Sequence, residues 1–375
     1  MKMTRIFVVT LSLLLLLLAP SKAEEGPPIL PFHFHSLFPF LGNSDDLPEI
    51  DPKKVPPVDQ TAPAEVSKSL KLDFYKSSCP NAEKIVADAF REIVKANSGA
   101  IANFIRLQFH DCFVNGCDAS ILLDYSPSGD QVEKSSQFNG LLLKGADMMD
   151  EIKTKVEAQC PGVVSCADIL AFATNEAMTL AGMPAQKPLG GRRDATVSLA
   201  TVAEANNLPL PNWSMEQMVE LFNRKGFNLE EMVILLGAHS VGIAHCDAFI
   251  ERANNFNGTG KPDPTLTPEV VEEIKKSCPD YGTPQYRNPP VNFDATPTVL
   301  DNLFFKDMVN RRRTLLITDS HILEDPRTFP VVQKLANDTE LFTKRFPEVM
   351  AKLTALNVIV GQEGEIRKIC RSTNA

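Results

Sequence analysis

Arg106 and His110 stand four residues apart in Ile101-Ala-Asn-Phe-Ile-Arg-Leu-Gln-Phe-His-Asp-Cys112, a spacing that puts both on one face of a helix. A neutral imidazole beside a fixed guanidinium can accept a proton while the cation stabilises charge developing on a leaving oxygen. Heterolysis of a peroxide O–O bond needs such a pair, and the same residues would equally make a buried His–Arg contact at a helix end. Directly downstream, Asp111-Cys-Phe-Val-Asn-Gly-Cys-Asp-Ala-Ser120 crowds the oxygen-bearing side chains Asp111, Asp118 and Ser120 onto one short loop. Hard oxygen ligands in that density suit calcium; the spacing is not that of an EF-hand, and a solvated turn is the alternative. A third segment, Leu235-Leu-Gly-Ala-His-Ser-Val-Gly242, presents His239 at a small-residue helix end with room for a large planar group. Histidine is a common axial haem ligand and a stronger one when a carboxylate takes its other ring nitrogen, whereas a hydrogen-bonded core histidine would fit the same residues.

Helices must position these groups. Ile85, Val86, Ala89, Phe90, Ile93 and Val94 repeat at the spacings of one buried helix stripe. The same period recurs at Met148 to Val156, Ile169 to Leu180, Met218 to Phe222, Met232 to Leu236 and Val349 to Leu356. Ser165-Cys-Ala-Asp168 and Ser214-Met-Glu-Gln217 have the form of helix starts. Strand-like alternation is scarce, so the expected fold is mainly α, with Pro- and Gly-marked loops and no internal repeat.

The 375 residues are 43% apolar and 23% charged, an ordinary globular composition with ample length for one large core or two smaller ones. The opening run MKMTRIFVVTLSLLLLLLAPSKA joins a basic start, an apolar stretch from Ile6 to Ala19 and small residues around Ala23. That is the layout of a cleavable signal peptide over residues 1–23, and it is shorter than the roughly 20 apolar residues of a membrane span. Residues 24–68 hold nine prolines, the cluster Pro31-Phe-His-Phe-His-Ser-Leu-Phe-Pro-Phe40 and an acidic stretch from Asp45 to Asp51 without any period. They read as a flexible leader or pro-segment, in which His33 and His35 are not metal ligands; a domain then runs over 69–375. Removal of the first 23 residues leaves 35 basic against 47 acidic residues, a net charge of −12. Nucleic acid and anionic lipid are poor partners for such a chain, and Arg311-Arg312-Arg313 reads as a solvated helix face. The eight cysteines, Cys79, Cys112, Cys117, Cys160, Cys166, Cys246, Cys278 and Cys370, suit disulfides in an oxidising compartment. A zinc site would want a second close pair.

Over residues 69–375 the chain resembles the plant secretory, or class III, haem peroxidases. The resemblance rests on Asp73-Phe-Tyr-Lys-Ser-Ser-Cys-Pro80, on Arg106 through Ser120, and on Val164-Ser-Cys-Ala-Asp168. It extends through Gly191-Arg-Arg-Asp194, Asn207-Leu-Pro-Leu-Pro211, Gly237-Ala-His-Ser240 and Gly364-Glu-Ile-Arg367, in order and at matching spacing. It implies helices in two lobes sandwiching haem b, stapled by Cys79–Cys160, Cys112–Cys117, Cys166–Cys370 and Cys246–Cys278. His110 would be the distal acid–base catalyst, Arg106 the charge stabiliser, Asn139 the residue orienting His110, and Phe109 a wall of the pocket. His239 would hold the iron, with Asp319 as its carboxylate partner and Phe293 as the ring beside it; Pro209 would stand near the substrate entrance. A distal calcium would take Asp111, Asp118 and Ser120 with the carbonyls of Val114 and Gly116. A proximal one would take Ser240, Asp294, Thr296 and Asp301, although only Ala295 separates Asp294 from Thr296 where the family usually has two residues.

The implied activity is reduction of hydrogen peroxide with oxidation of small phenolic donors in two one-electron steps by a monomer that engages neither membrane nor nucleic acid. A non-catalytic haem-binding wall protein is the alternative, kept open by the leader, by Lys144 in place of arginine, by Pro188 and by the short Asp294 loop. A zinc- or calcium-only binding protein is a third. Sequons at Asn212, Asn257 and Asn337 are glycosylation candidates. The chain ends five residues after Cys370, which favours an extracellular or wall location over the vacuole.

Overall fold

The computed structural model describes residues 69–374 except 140–142 and 206. The expected signal peptide and leader, with His33, His35 and the aromatic cluster, lie outside the described residues. Thirteen α-helices occur among the described residues, against two strands of three residues each.

Helix α1 (Ala82–Ala96) buries Ile85, Val86, Ala89, Phe90 and Ile93 along one face, as their spacing predicts. Helix α2 (Ala100–Val114) is buried on almost every side, because it packs chiefly against α4 (Cys166–Leu180), while α1 rests on both α4 and α3 (Ala146–Gln159). The Ser165 hydroxyl accepts the Asp168 N–H and starts α4. These four helices form one lobe, and α2 carries both His110, which is buried, and Arg106, which is exposed. After the short α5 (Ala200–Glu204), α6 (Met215–Arg224) and α7 (Leu229–Leu236) begin on reciprocal capping boxes, Ser214 with Gln217 and Asn228 with Glu231. A 3₁₀ turn, Gly237–Ser240, continues from α7 and carries His239.

The second lobe is built from α7, α10 (Leu303–Arg311), α11 (Ile317–Glu324), α12 (Phe329–Asn337) and α13 (Thr339–Leu353), with α10 packed on α12 and α7 on α13. The remaining helices, α8 (Glu251–Asn254) and α9 (Pro268–Ser277), pack on each other, and in sequence they lie between β1 (Ile243–His245) and β2 (Pro290–Asn292). These strands pair antiparallel with Ala244 opposite Val291. Disulfides close Cys79–Cys160, Cys112–Cys117, Cys166–Cys370 and Cys246–Cys278, the pairs that the resemblance implies, and among the described residues no cysteine is free.

Two details differ from expectation. The apolar period reaching Leu356 overshoots the helix, which ends at Leu353 with Thr354 as cap. The chain turns there so that the Leu356 carbonyl can accept the Cys117 N–H at 3.0 Å. Nor do the three arginines at 311–313 form one solvated face. Arg312 caps α10 in the left-handed region, at φ 54°, and this reversal swings Arg313 inward until it is only 7% exposed.

Gly237 holds the turn before His239 against the core. A Cβ there would lie 2.6 Å from Phe342 and 3.0 Å from Phe305, both rings buried. Gly237→Ala is therefore expected to cost about 1–3 kcal/mol through overpacking, read as a thermal midpoint several degrees lower; an unchanged midpoint would show that the rings yield freely.

Candidate functional site

The distal half is set by commitments around His110. Its Nδ1 lies 2.7 Å from Asn139 Oδ1, while the Asn139 amide nitrogen donates to the Glu133 carbonyl at 2.5 Å. Because that amide nitrogen is committed elsewhere, Asn139 can only accept from the ring, so Nδ1 carries the proton and Nε2 keeps its lone pair. His110 and Asn139 are both buried. Burial, then the Arg106 charge, hold the imidazole well below its ordinary pKa, against a smaller opposing pull from Asn139. Arg106 is exposed, yet enough protein surrounds it to bring its pKa to about 10, which leaves it cationic at neutral pH. Phe109 is half-buried and stacks on Phe113 at 4.1 Å, placing a rigid apolar wall next to His110, with ring centroids 6.0 Å apart.

His239 shows the same division of labour. Its Nδ1 lies 2.9 Å from Asp319 Oδ1, and its ring stacks on Phe293 at 4.5 Å with 7° between planes, while Phe304 meets it edge-on at 5.8 Å. Asp319 is fully buried and the His239 side chain is 32% exposed, so the carboxylate holds the inner nitrogen and the outer edge of the ring is left to donate. A histidine oriented by a carboxylate, with an accessible second nitrogen, is the donor chemistry an axial iron ligand requires; the residues present fit a haem on that side.

The end of α2, the loop that follows it and the turn at Glu133 gather oxygen. Asp111, Asp118, Ser120 and Glu133 are all buried, and Asp111 Oδ1, Ser120 Oγ and both Glu133 carboxyl oxygens lack a hydrogen-bond partner. The Ser120 hydroxyl lies close to Asp118 and Glu133. Burial, followed by the Asp118 charge, lifts Glu133 to about 8, burial lifts Asp118 to about 6, and Asp111 stands well above the ordinary carboxylate range for the same first reason. Orphaned acceptors of this kind fit a hard cation. Of the two expected carbonyls, Val114 O accepts from Lys225 Nζ at 3.0 Å and Gly116 O from the Asp118 N–H at 2.9 Å. Gly116 itself is obligatory at φ 144°, where a Cβ would meet the Asn357 carbonyl at 2.3 Å. Among the described residues no three His, Cys, Asp or Glu side chains come together as metal ligands; the donors near this loop are carboxylates mixed with hydroxyl and carbonyl oxygens.

Ser240, Asp294, Thr296 and Asp301 also converge despite the shortened loop. Ser240 Oγ donates to Asp294 Oδ2 at 3.1 Å, and Thr296 Oγ1 lies 3.0 Å from Asp294 Oδ1 and 3.1 Å from Asp301 Oδ2. Pro209 is half-buried in the segment whose Pro211 carbonyl accepts the Thr318 N–H at 3.1 Å, which ties that loop to the helix bearing Asp319. Asn212, Asn257 and Asn337 are all exposed. Sequence reasoning assigned no role to Glu133, Lys225, Arg252 or Arg313. Each acts through a partner at least 6 residues away, the longest reach being 111, so no local pattern marks them.

A helical fold in two lobes with four disulfides, in which Asn139 holds His110 and Asp319 holds His239 through Nδ1, is the arrangement of a haem peroxidase of the plant type. The comparisons with known proteins agree. Residues 86–338 match the family described as Peroxidase. The chain is 42% identical to Peroxidase 28 of Arabidopsis thaliana, covering 81% of this chain and 93% of that one. It is 39% identical to Peroxidase 5 of Vitis vinifera, with 83% and 93% covered, and 36% identical to Peroxidase 1 of Zea mays, with 83% and 85% covered. This chain belongs to the class III plant peroxidases, enzymes that act on hydrogen peroxide.

The depressed pKa of His110 makes a directional prediction. A base must be neutral, so with His110 as the base of the peroxide step its rate should stay level as pH falls through 6.5, the ordinary histidine value, and decline only at clearly lower pH. Stopped-flow rates against pH check this, and a midpoint at or above 6.5 would contradict it.

Proposed function

We propose that the chain works as a secreted peroxidase in which Arg106, His110 and Asn139 carry out peroxide cleavage, His239 holds haem b, and small phenols are the donors. The carrying observation is the chain from the Glu133 carbonyl through Asn139 to His110 Nδ1, because it leaves His110 Nε2 as a base facing the peroxide side. When bound, haem b supplies the redox-active iron and the one-electron chemistry that side chains lack. His110 Nε2 would take the proton from the inner oxygen of hydrogen peroxide and return it to the outer one, which leaves as water. The Arg106 guanidinium would stabilise the charge on that departing oxygen. Asp319 would keep His239 Nδ1–H donated and its other nitrogen electron-rich. The non-catalytic reading is not favoured, since the catalytic set is complete and its hydrogen bonds are in place.

Calcium is proposed in the loop of Asp111, Asp118 and Ser120, supported by the orphaned oxygens there, and in the cluster of Ser240, Asp294, Thr296 and Asp301, supported by its convergence. Secretion is supported by four disulfides, which persist in oxidising compartments, and by three exposed sequons available for glycan. No helix among the described residues is long and apolar enough to cross a membrane.

His110→Ala should slow the peroxide step by roughly 10²–10⁴-fold while leaving the haem absorbance in place; a variant reacting at the wild-type rate would remove His110 from the mechanism. Chelation of calcium from the holoenzyme should lower its thermal midpoint by several degrees, with recovery on adding calcium and little on adding magnesium, whose smaller shell fits such loops poorly. An equal midpoint with and without chelator would sink the calcium assignment.

A further inference from the structure

The arginine triplet at 311–313 supplies a group that the catalytic description leaves unused. Arg313 is buried among three partners contributed by two other elements. Its Nε donates to Glu273 Oε1 of α9 at 2.6 Å, its Nη2 to the Asn292 carbonyl at the end of β2 at 3.0 Å, and its Nη1 to the Phe293 carbonyl. Arg311 grips the other Glu273 oxygen at 2.7 Å and so fixes the carboxylate that receives Arg313. The guanidinium therefore clamps the peptides on both sides of the Phe293 Cα, and the Phe293 side chain is the ring that lies parallel to His239. The next residue, Asp294, is held by Ser240, the neighbour of His239.

We propose that Arg313 is a positioning residue for His239, acting through Phe293; the inference rests on the reading of His239 as the haem ligand. An imidazole anchored at Nδ1 can still pivot about that hydrogen bond, and a flat ring 4.5 Å from its face removes that freedom. The plate is only as steady as its backbone, and Phe293 follows a strand of three residues that would hold it poorly alone. Six residues beyond Arg313 stands Asp319, and the intervening carbonyls of Thr314, Leu315 and Leu316 are gathered by Arg252 Nη1 at 2.6, 3.0 and 2.9 Å. Two buried arginines thus brace the two groups that define the His239 ring, its stacked neighbour and its carboxylate. Lysine cannot reproduce the fork, because its single ammonium lacks the planar, diverging donors that reach Glu273 and two successive carbonyls at once.

The test uses the haem-loaded enzyme with Arg313→Met, Arg313→Lys, Phe293→Leu and the Met/Leu double variant. The readouts are the resonance Raman iron–histidine stretching band of the ferrous protein and the rate of haem transfer to apomyoglobin, with thermal midpoints alongside. Arg313→Met should shift or broaden the band and speed haem loss by about tenfold, at the low end for removing a partner of a ligand, and Arg313→Lys should restore only part. In the Phe293→Leu background, Arg313→Met should move the band no further, since its effect passes through the ring. A lowered midpoint with band and haem loss as in wild type would reduce Arg313 to a structural brace, and simple addition of the two band shifts would overturn the route through Phe293. If Arg313→Met does not fold, Glu273→Gln loosens the same fork from outside and must shift the band in the same sense, or the proposal fails. A wild-type protein without any haem absorbance would overturn the haem reading itself, a separate outcome.

Discussion

His110 and His239 each surrender Nδ1 to a buried acceptor, Asn139 in one lobe and Asp319 in the other, and the remainder of the site follows from that constraint. A neutral imidazole has one donor and one acceptor nitrogen, so occupying the donor on the inner side dictates that the outer side bears the lone pair. The two partners differ in charge, and the difference suits the two histidines to the two proposed roles. An amide oxygen orients His110 with little gain in basicity, which suits a group that must take a proton and let it go. A carboxylate on His239 strengthens its second nitrogen as a donor, which suits a permanent ligand.

Holding those acceptors in place explains much of the polar interior. Asn139 depends on the Glu133 carbonyl, and Glu133, in a separate 3₁₀ turn, is buried close to Asp111 and Asp118 of the segment that continues from His110. Burying Asp111, Asp118 and Glu133 together costs solvation that Arg367 and Lys225 offset only in part. A divalent cation in that loop would offset the remainder and at the same time steady the turn bearing Asn139's partner. The Cys112–Cys117 disulfide, with its Cα atoms 4.1 Å apart, closes the turn between its own two ends, so covalent and ionic restraints would act on the same few residues beside His110. On the other side, Arg252 and Arg313 do by hydrogen bonds to carbonyls what the loop does by charge.

The helical core was largely legible from one chain of letters. The stripes of α1, α4, α6 and α7 follow from a period that burial on one face imposes, and the Ser165 and Ser214 caps follow from the chemistry of unpaired N–H groups. The stripe at Val349–Leu356 misled at its end because Leu356 is buried by the tertiary contact to the Cys117 segment rather than by continuing the helix. The arginine triplet misled for a related reason: a left-handed residue at Arg312 turns its neighbour from solvent toward Asn292 and Phe293.

What the sequence by itself determined about this protein is the chemistry carried within single segments: Arg106 and His110 one turn apart, oxygen atoms dense on the loop from Asp111 to Ser120, and His239 at a small-residue helix end. Spacing of three or four residues brings such groups together whatever the rest of the chain does. Only the tertiary structure decided what those groups can do. The tautomer of His110 depends on an amide 29 residues away, the orientation of His239 on a carboxylate 80 residues away, and the steadiness of Phe293 on a guanidinium 20 residues further along. None of these pairings has a local period; each is made by the packing of segments distant in the chain.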